Sequence, residues 1–355
     1  MPIKYLGSKR RLVGVIGALF TAAGGGRALD LFTGTTRVAQ ELKRRGGHVT
    51  AIDRARYATI FAESAIATDV SALDVAALGA ELAALDALPG VPGYVTETFC
   101  TASRYFRPEN GVRIDAIRDA IEAQRGNAHF PILLTSLIEA ADRVDSTTGL
   151  QMAYLKDWAP RAHQPLTLRL PDLLAGPGAA IRGDAVALLP VLSSFDFAYL
   201  DPPYNQHRYE ANYHVWETIV AWDAPEFYGV ACKRVELQDR DRTSVFNRRR
   251  AMPDALRACI EGIDARVMVV SYNDESWLEL DELVDMCRGR GAVEILAYDS
   301  KRYVGAQIGI HNSDGARVGA ISHLRNTEYL ILSGQPQAVE RARVAASTTP
   351  AGSPA

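Results

Sequence analysis

Cysteine is scarce in this 355-residue chain: Cys100, Cys232, Cys259 and Cys287 stand far apart, with no paired spacing. That excludes a zinc module and a disulfide framework, and it points to a reduced compartment. Long apolar runs are missing as well. None approaches the roughly 20 residues of a membrane-spanning helix, and no secretory leader is visible ahead of the first structured residues. Excess positive charge is also lacking. The formal net charge of -3 counts against nucleic-acid binding through bulk charge alone. Nor is there an internal repeat. The expectation from these absences is a cytoplasmic protein with no metal and no membrane anchor. What is present agrees: 48% apolar and 23% charged residues are the proportions of a soluble globular chain. The length allows one large domain with an insertion, or two domains.

Charge distribution says more than the sum. Lys4, Lys9, Arg10 and Arg11 open the chain with no acid among them. The stretch from Lys233 to Arg250 carries Arg234, Arg240, Arg242, Arg248 and Arg249 against Glu236, Asp239 and Asp241. Acid collects elsewhere, as between Asp69 and Asp86. A chain that is acidic overall can therefore present a basic face. Such a run is usually just a solvated surface, and it gains weight here only from following the strand that ends at Asp201.

The most informative stretch is Phe195-Asp196-Phe197-Ala198-Tyr199-Leu200-Asp201-Pro202-Pro203-Tyr204-Asn205. An apolar run that ends abruptly in Asp-Pro-Pro-Tyr reads as a buried strand delivering polar groups to a cleft. Neither proline can donate to a ladder, so the strand must stop there. Proline also stiffens the residue before it, which fixes Asp201 and Pro202. A carboxylate, two rigid carbonyls and an aromatic ring thus emerge together, and they suit a flat, amine-bearing ring. The exocyclic amine of adenine is a poor nucleophile because its lone pair is delocalised. Acceptors at Asp201 and the Pro202 carbonyl would favour a pyramidal nitrogen, and Tyr204 would stack on the ring. A plain proline turn with Asp as an ordinary turn residue accounts for the shorter Asp-Pro-Pro string.

Earlier in the chain, Arg27 to Asp30 reads as a strand, and Leu31-Phe32-Thr33-Gly34-Thr35-Thr36 as a small-residue turn into a helix through Leu42. This is the first unit of a doubly wound sheet, where glycine lets backbone approach a ligand. The next strand, Val49 to Ile52, ends in Asp53, placed to meet the two hydroxyls of a ribose. The pattern suits NAD as well as S-adenosyl-L-methionine. An NAD enzyme is disfavoured because no catalytic His or Tyr/Lys pair accompanies it. Asp53 as a mere cap for the following helix is the plainer reading.

The spacing predicts helices over Leu12–Leu19, Asp69–Leu88, Ile114–Ile121 and Ile132–Val144, and strands at Arg266–Tyr272, Val293–Tyr298 and Glu328–Leu332. The interval 71–180 is too long for a loop and reads as a mainly helical insertion. Gly183-Asp184 would open the return to the sheet. Residues 335–355, rich in Gln, Ala, Ser, Thr and Pro, read as a disordered tail. Tyr209, Tyr213 and Trp216, at roughly helical spacing, suit packing better than base stacking.

The ordered set Tyr5-Leu6-Gly7-Ser8-Lys9, Asp30-Leu31-Phe32-Thr33-Gly34, Asp53 and Asp201-Pro202-Pro203-Tyr204 resembles the Dam-type, D12 class N6-adenine DNA methyltransferases, in the motif order of their alpha group. Asn212-Tyr213-His214 and Tyr303 to Ile308 resemble the variety in type II modification enzymes. The resemblance implies an α/β fold: a Rossmann-like methyltransferase sheet, mostly parallel with one antiparallel strand, over residues 1–70 and 181–334. The insertion 71–180 would then serve target recognition. It also implies roles. Tyr5 and Lys9 would lie at the methionine end of S-adenosyl-L-methionine, with Asp30, Phe32, Gly34 and Thr35 at the cofactor turn. Asp53 would take the ribose, and Asp184 would lie near the cofactor's adenine. Asp201, Pro202, Pro203 and Tyr204 would hold the target base. Asn205, His207, Arg208, Arg240, Arg242, Arg248, Lys301 and Arg302 would contact double-stranded DNA, and a cognate restriction endonuclease is the implied counterpart. One departure stands out: Thr36 occupies the position where the family usually has a second glycine. Structured RNA as the acceptor and a catalytically silent DNA-binding module are the alternatives.

Overall fold

Period-two and continuous apolar runs settle into nine strands in the computed structural model, which describes residues 3–7, 9–203, 208–239, 241–301 and 325–352. In chain order they are β1 (Arg27–Asp30), β2 (His48–Asp53), β3 (Gly178–Arg182), β4 (Phe195–Leu200), β5 (Phe227–Tyr228), β6 (Lys233–Arg234), β7 (Ala265–Asn273), β8 (Ala292–Lys301) and β9 (Arg325–Gly334). Seven of them make one sheet of order β3-β2-β1-β4-β7-β9-β8, and β5 and β6 form a small hairpin. β2 and β3 are parallel, as are β1 with β4 and β4 with β7. β9 runs antiparallel to both β7 and β8. The sheet is thus mostly parallel with one reversed strand, the Rossmann-like methyltransferase arrangement expected.

The chain divides into two compact units. The first contains residues 3–5, 33–184 and 208–244. Its core joins Tyr57 and Phe61 of the helix Arg56–Ala62, Leu133, Leu137 and Ile138 of the helix Phe130–Val144, and Tyr213, Trp216 and Ile219 after β4. Tyr213 and Trp216 are buried and serve packing. Arg118, on the helix Pro108–Glu122, is fully buried and donates from Nε to the Ile219 carbonyl at 2.7 Å. A cation at the carbonyl end of the helix His214–Ala221 satisfies acceptors that the helix leaves open.

The stretch between β2 and β3 carries the helices Arg56–Ala62, Val75–Asp86, Pro108–Glu122 and Phe130–Val144. The insertion packs inside a unit that includes Thr33 onward, and its last three residues already belong to β3. β3 pairs with β2 from Val49↔Gly178 to Asp53↔Arg182, so the return to the sheet precedes Gly183. A Cβ at Gly178 would lie 2.4 Å from the Ile66 carbonyl oxygen, which requires a small residue in this strand. Gly-Ala-Ala has too little apolar bulk to read as a strand.

The second unit contains residues 6–32 and 185–203 and the described part of 245–352. Val267, Met268, Val269 and Val270 are all fully buried, as a central strand covered on both faces requires. Phe20 meets Phe197 edge-on at 5.6 Å. The expected disordered tail is instead a helix, Pro336–Thr348, with proline in its first turn. Ala338, Val339, Ala342 and Ala346 recur on one face and are buried, and the helix packs on Val13–Ala22. Small alanines bury a close helix contact without the bulk that signals a core.

Candidate active site

In the first unit the turn after β1 is built on backbone that only small or special residues tolerate. Gly34 has φ +52°, and a Cβ there would meet the Tyr5 ring at 3.1 Å. Its N–H donates to Asp53 Oδ2 at 2.8 Å, while the Ala55 N–H donates to Asp53 Oδ1 at 2.9 Å. Burial lifts the Asp53 carboxyl above the usual carboxylate range, and these backbone donors oppose the rise. The residue does more than cap the next helix: it ties two turns together. Thr35 is buried, and so is Thr36, whose φ of +60° is the left-handed conformation a glycine usually supplies. Gln40 Nε2 donates to Thr36 Oγ1 at 2.7 Å, which helps hold it there.

Tyr5 stacks on Tyr213 at 4.7 Å and on Tyr209 at 5.4 Å, and its hydroxyl lies 3.2 Å from that of Tyr57. Burial, then the neighbouring Tyr57, pushes its phenol well above the ordinary value, so it stays neutral. Asp184 follows Gly183, whose N–H donates to the Asp53 carbonyl at 3.0 Å. Asp184 therefore stands beside Asp53 at the carboxyl ends of β3 and β2, where ligands of open α/β sheets bind.

In the second unit β1 delivers the buried Asp30, in register with Tyr199 of β4. Phe32 packs edge-on against Phe246 at 4.9 Å. β4 stops at Leu200, and Asp201, Pro202 and Pro203 follow without regular structure, as the proline argument requires. The Asp201 side chain is 20% exposed, and Lys9 Nζ lies 3.1 Å from its Oδ1. The same ammonium lies 3.5 Å from Glu328 Oε2. A lysine near a helix start is usually solvated, yet Lys9 is only 7% exposed and stands between two carboxylates. Burial raises the Asp201 carboxyl to about 6; Lys9 opposes the rise and Glu328 adds to it.

Glu328 escaped the sequence reading. Its one signal is an acid at the head of the apolar run Tyr329-Leu330-Ile331-Leu332. Only the antiparallel register of β9 brings it near a lysine more than 300 residues earlier.

Of the expected DNA contacts, Arg208, Arg242, Arg248 and Lys301 lie among the described residues. Arg208 is half-buried just before the helix Tyr209–Asn212. Arg242 is exposed, with Nη1 3.1 Å from Glu236 Oε2, and it belongs to the first unit, whereas the exposed Arg248 belongs to the second. Arg234, counted in the basic run, is buried and bidentate to Asp223. Lys301 ends β8. Tyr204, Asn205, His207, Arg240 and Arg302 lie outside the described residues. Among the described residues no group of three or more His, Cys, Asp or Glu is arranged to hold a metal, and no helix is long and apolar enough to cross a membrane.

Comparison with known proteins bears on the same resemblance. The chain is 28% identical over 285 residues to the type II methyltransferase M.NlaIII of Neisseria lactamica, covering 77% of this chain and 83% of that protein. It is 30% identical to M.CviAII of Paramecium bursaria Chlorella virus 1, covering 63% of this chain and 68% of the relative. It is 33% identical to M.FokI of Planomicrobium okeanokoites, over 54% of this chain and 30% of that longer enzyme. Residues 5–286 match the model of the D12 class N6 adenine-specific DNA methyltransferases, and the chain belongs to that family.

Proposed function

We propose that the protein transfers a methyl group from S-adenosyl-L-methionine to N6 of an adenine turned out of double-stranded DNA. The observation that carries this is the Asp201 carboxylate at the rigid end of β4. Lys9 Nζ engages its Oδ1 at 3.1 Å. An amine donor suits the other carboxylate oxygen, with the Pro202 carbonyl as second acceptor. Acceptors fixed where positive charge develops on the nitrogen lower the barrier without reorganisation.

The cofactor turn fits its ligand. Each Asp53 oxygen holds one backbone N–H and keeps acceptor capacity for a ribose hydroxyl. Gly34 offers no Cβ to obstruct an approaching molecule. Asp184, beside Asp53, is assigned to the adenine end, and Tyr5 to the methionine end. S-adenosyl-L-methionine supplies an activated methyl group on a sulfonium sulfur. The chain's part is positioning and charge stabilisation. Taking a base out of the stack costs a few kcal/mol, offset by contacts from Tyr204, Asn205, His207 and Arg208. The helical segment between β2 and β3, or those same residues, reads base edges in the major groove. Arg242 and Arg248 are assigned to phosphates.

The test offers labelled S-adenosyl-L-methionine with double-stranded DNA and with structured RNA, then maps modified adenines by sequencing. Label on N6 of adenine at one recurring DNA sequence is expected. Label on RNA alone, or on neither polymer, would reject the proposal. The named relatives are type II methyltransferases, and the same reading gives the chain a cognate endonuclease. DNA methylated by this protein would resist it.

A further inference from the structure

We infer that Glu328 is a positioning residue for the carboxylate that receives the amine, acting through Lys9. This rests on the methyl-transfer reading above. Glu328 sits near the start of β9, in register with Asn273 of β7 and Tyr298 of β8. Its side chain is 15% exposed, and Lys9 is its charged partner among the described residues. Burying an acid at the head of an apolar strand costs desolvation, so its retention calls for a compensating arrangement.

The compensation is the shared ammonium. Lys9 Nζ lies 3.1 Å from Asp201 Oδ1 and 3.5 Å from Glu328 Oε2. One cation serves two carboxylates, and the cluster keeps a net negative charge in a water-poor place. Paired with Asp201 alone, Lys9 would neutralise the acceptor on which the amine depends. With Glu328 on its other side, the ammonium is held between the two acids. Asp201 then retains part of its charge. Lys9 and Glu328 are the charged groups that act on Asp201, and the nearby Tyr199 phenol is buried and stays neutral. Glu328 touches no reacting atom in this account; it sets where Lys9 stands.

Glu328→Gln preserves shape and removes the charge. At neutral pH kcat should fall about tenfold, while the KM for DNA and the Kd for S-adenosyl-L-methionine change little. The acid limb of the kcat profile should move down by about one pH unit, because a like charge next to Asp201 has gone. Glu328→Asp should recover part of kcat with an intermediate limb. An active Glu328→Gln enzyme with an unmoved limb would overturn the inference, as would a loss confined to cofactor binding. A second measurement needs no turnover: the side-chain carboxyl of Asp201, followed by carbon NMR in the substrate-free protein, should titrate lower in Glu328→Gln than in the wild type. Equal titration in both proteins would also overturn it. A wild type that methylates nothing would instead sink the functional reading and leave the titration to decide this one.

Discussion

Asp53 accepts the Gly34 N–H at 2.8 Å, so the carboxylate assigned to the ribose also fastens the glycine turn. Asp53→Asn keeps one oxygen and sets an amide donor against one of two backbone donors. Affinity for S-adenosyl-L-methionine should fall at least about tenfold, the scale of losing a hydrogen bond to a charged group. Calorimetric titration of the wild type and variant would decide it. Unchanged affinity would remove Asp53 from the cofactor site.

The same turn tests what left-handed backbone costs. Gly34→Ala forces a Cβ at φ +52° toward the Tyr5 ring. A destabilisation of about 1–2 kcal/mol is expected from the backbone alone, with weaker cofactor binding as Tyr5 yields. Thr36→Gly should behave differently. It relieves about 1–2 kcal/mol of strain but loses the Gln40 hydrogen bond and a buried methyl, roughly 1 kcal/mol each. Tm should therefore move little, and a large loss would show that Thr36 packing dominates.

Asp201→Asn should lower kcat by about 10²–10³-fold, as removal of a preorganised charge partner does elsewhere, and leave cofactor affinity nearly intact. Since the Asp201 carboxyl is raised to about 6, the wild-type rate should drop as pH falls through that value. The ionised form is the acceptor, so protonation removes it. The stability contribution has the opposite sense. A raised carboxyl favours the folded state below the usual Asp value of about 4, and that contribution is lost as pH rises through about 6. A flat rate profile between pH 5 and 8 (roughly the range in which protein stability peaks) would contradict the assignment.

Glu217 offers a stability test away from the chemistry. It accepts the Tyr57 N–H at 3.2 Å, and burial raises it to about 7, with Arg56 opposing and Glu210 adding. Its contribution is present at low pH and lost as pH rises through about 7. Glu217→Gln keeps an acceptor and discards the charge. Its Tm should exceed the wild type's at pH 8 by a few degrees, on a scale of about 2–4 °C per kcal/mol, and the two should converge near pH 5. Thermal melts at both values are the check.

The strands were legible wherever bulky apolar residues ran up to a polar stop, as at Leu200-Asp201 and Ile52-Asp53. They were illegible where contact is close and side chains are small. β3 begins Gly-Ala-Ala because Ile66 backbone crowds it, and the C-terminal helix packs through alanines, so neither shows the bulk by which a core announces itself. The candidate site divides the same way. Asp53 and Asp201 follow from local rules, since Asp53 ends β2 and Asp201 stands directly after the last residue of β4. Lys9 looks like a surface lysine until its partners are known, and Glu328 becomes visible only through strand register, which no local pattern encodes.

The helix Pro336–Thr348 bears on how the protein is handled. Composition invites trimming the polypeptide after Gly334, yet Arg341 Nε donates to the Ala22 carbonyl at 3.1 Å and the Gly352 N–H donates to the Arg11 carbonyl at 3.0 Å. A version cut at that point would leave the Val13–Ala22 face bare to water, and with it the segment that carries Lys9 to its partners. Such a truncation should precipitate or lose activity with every motif residue still in place.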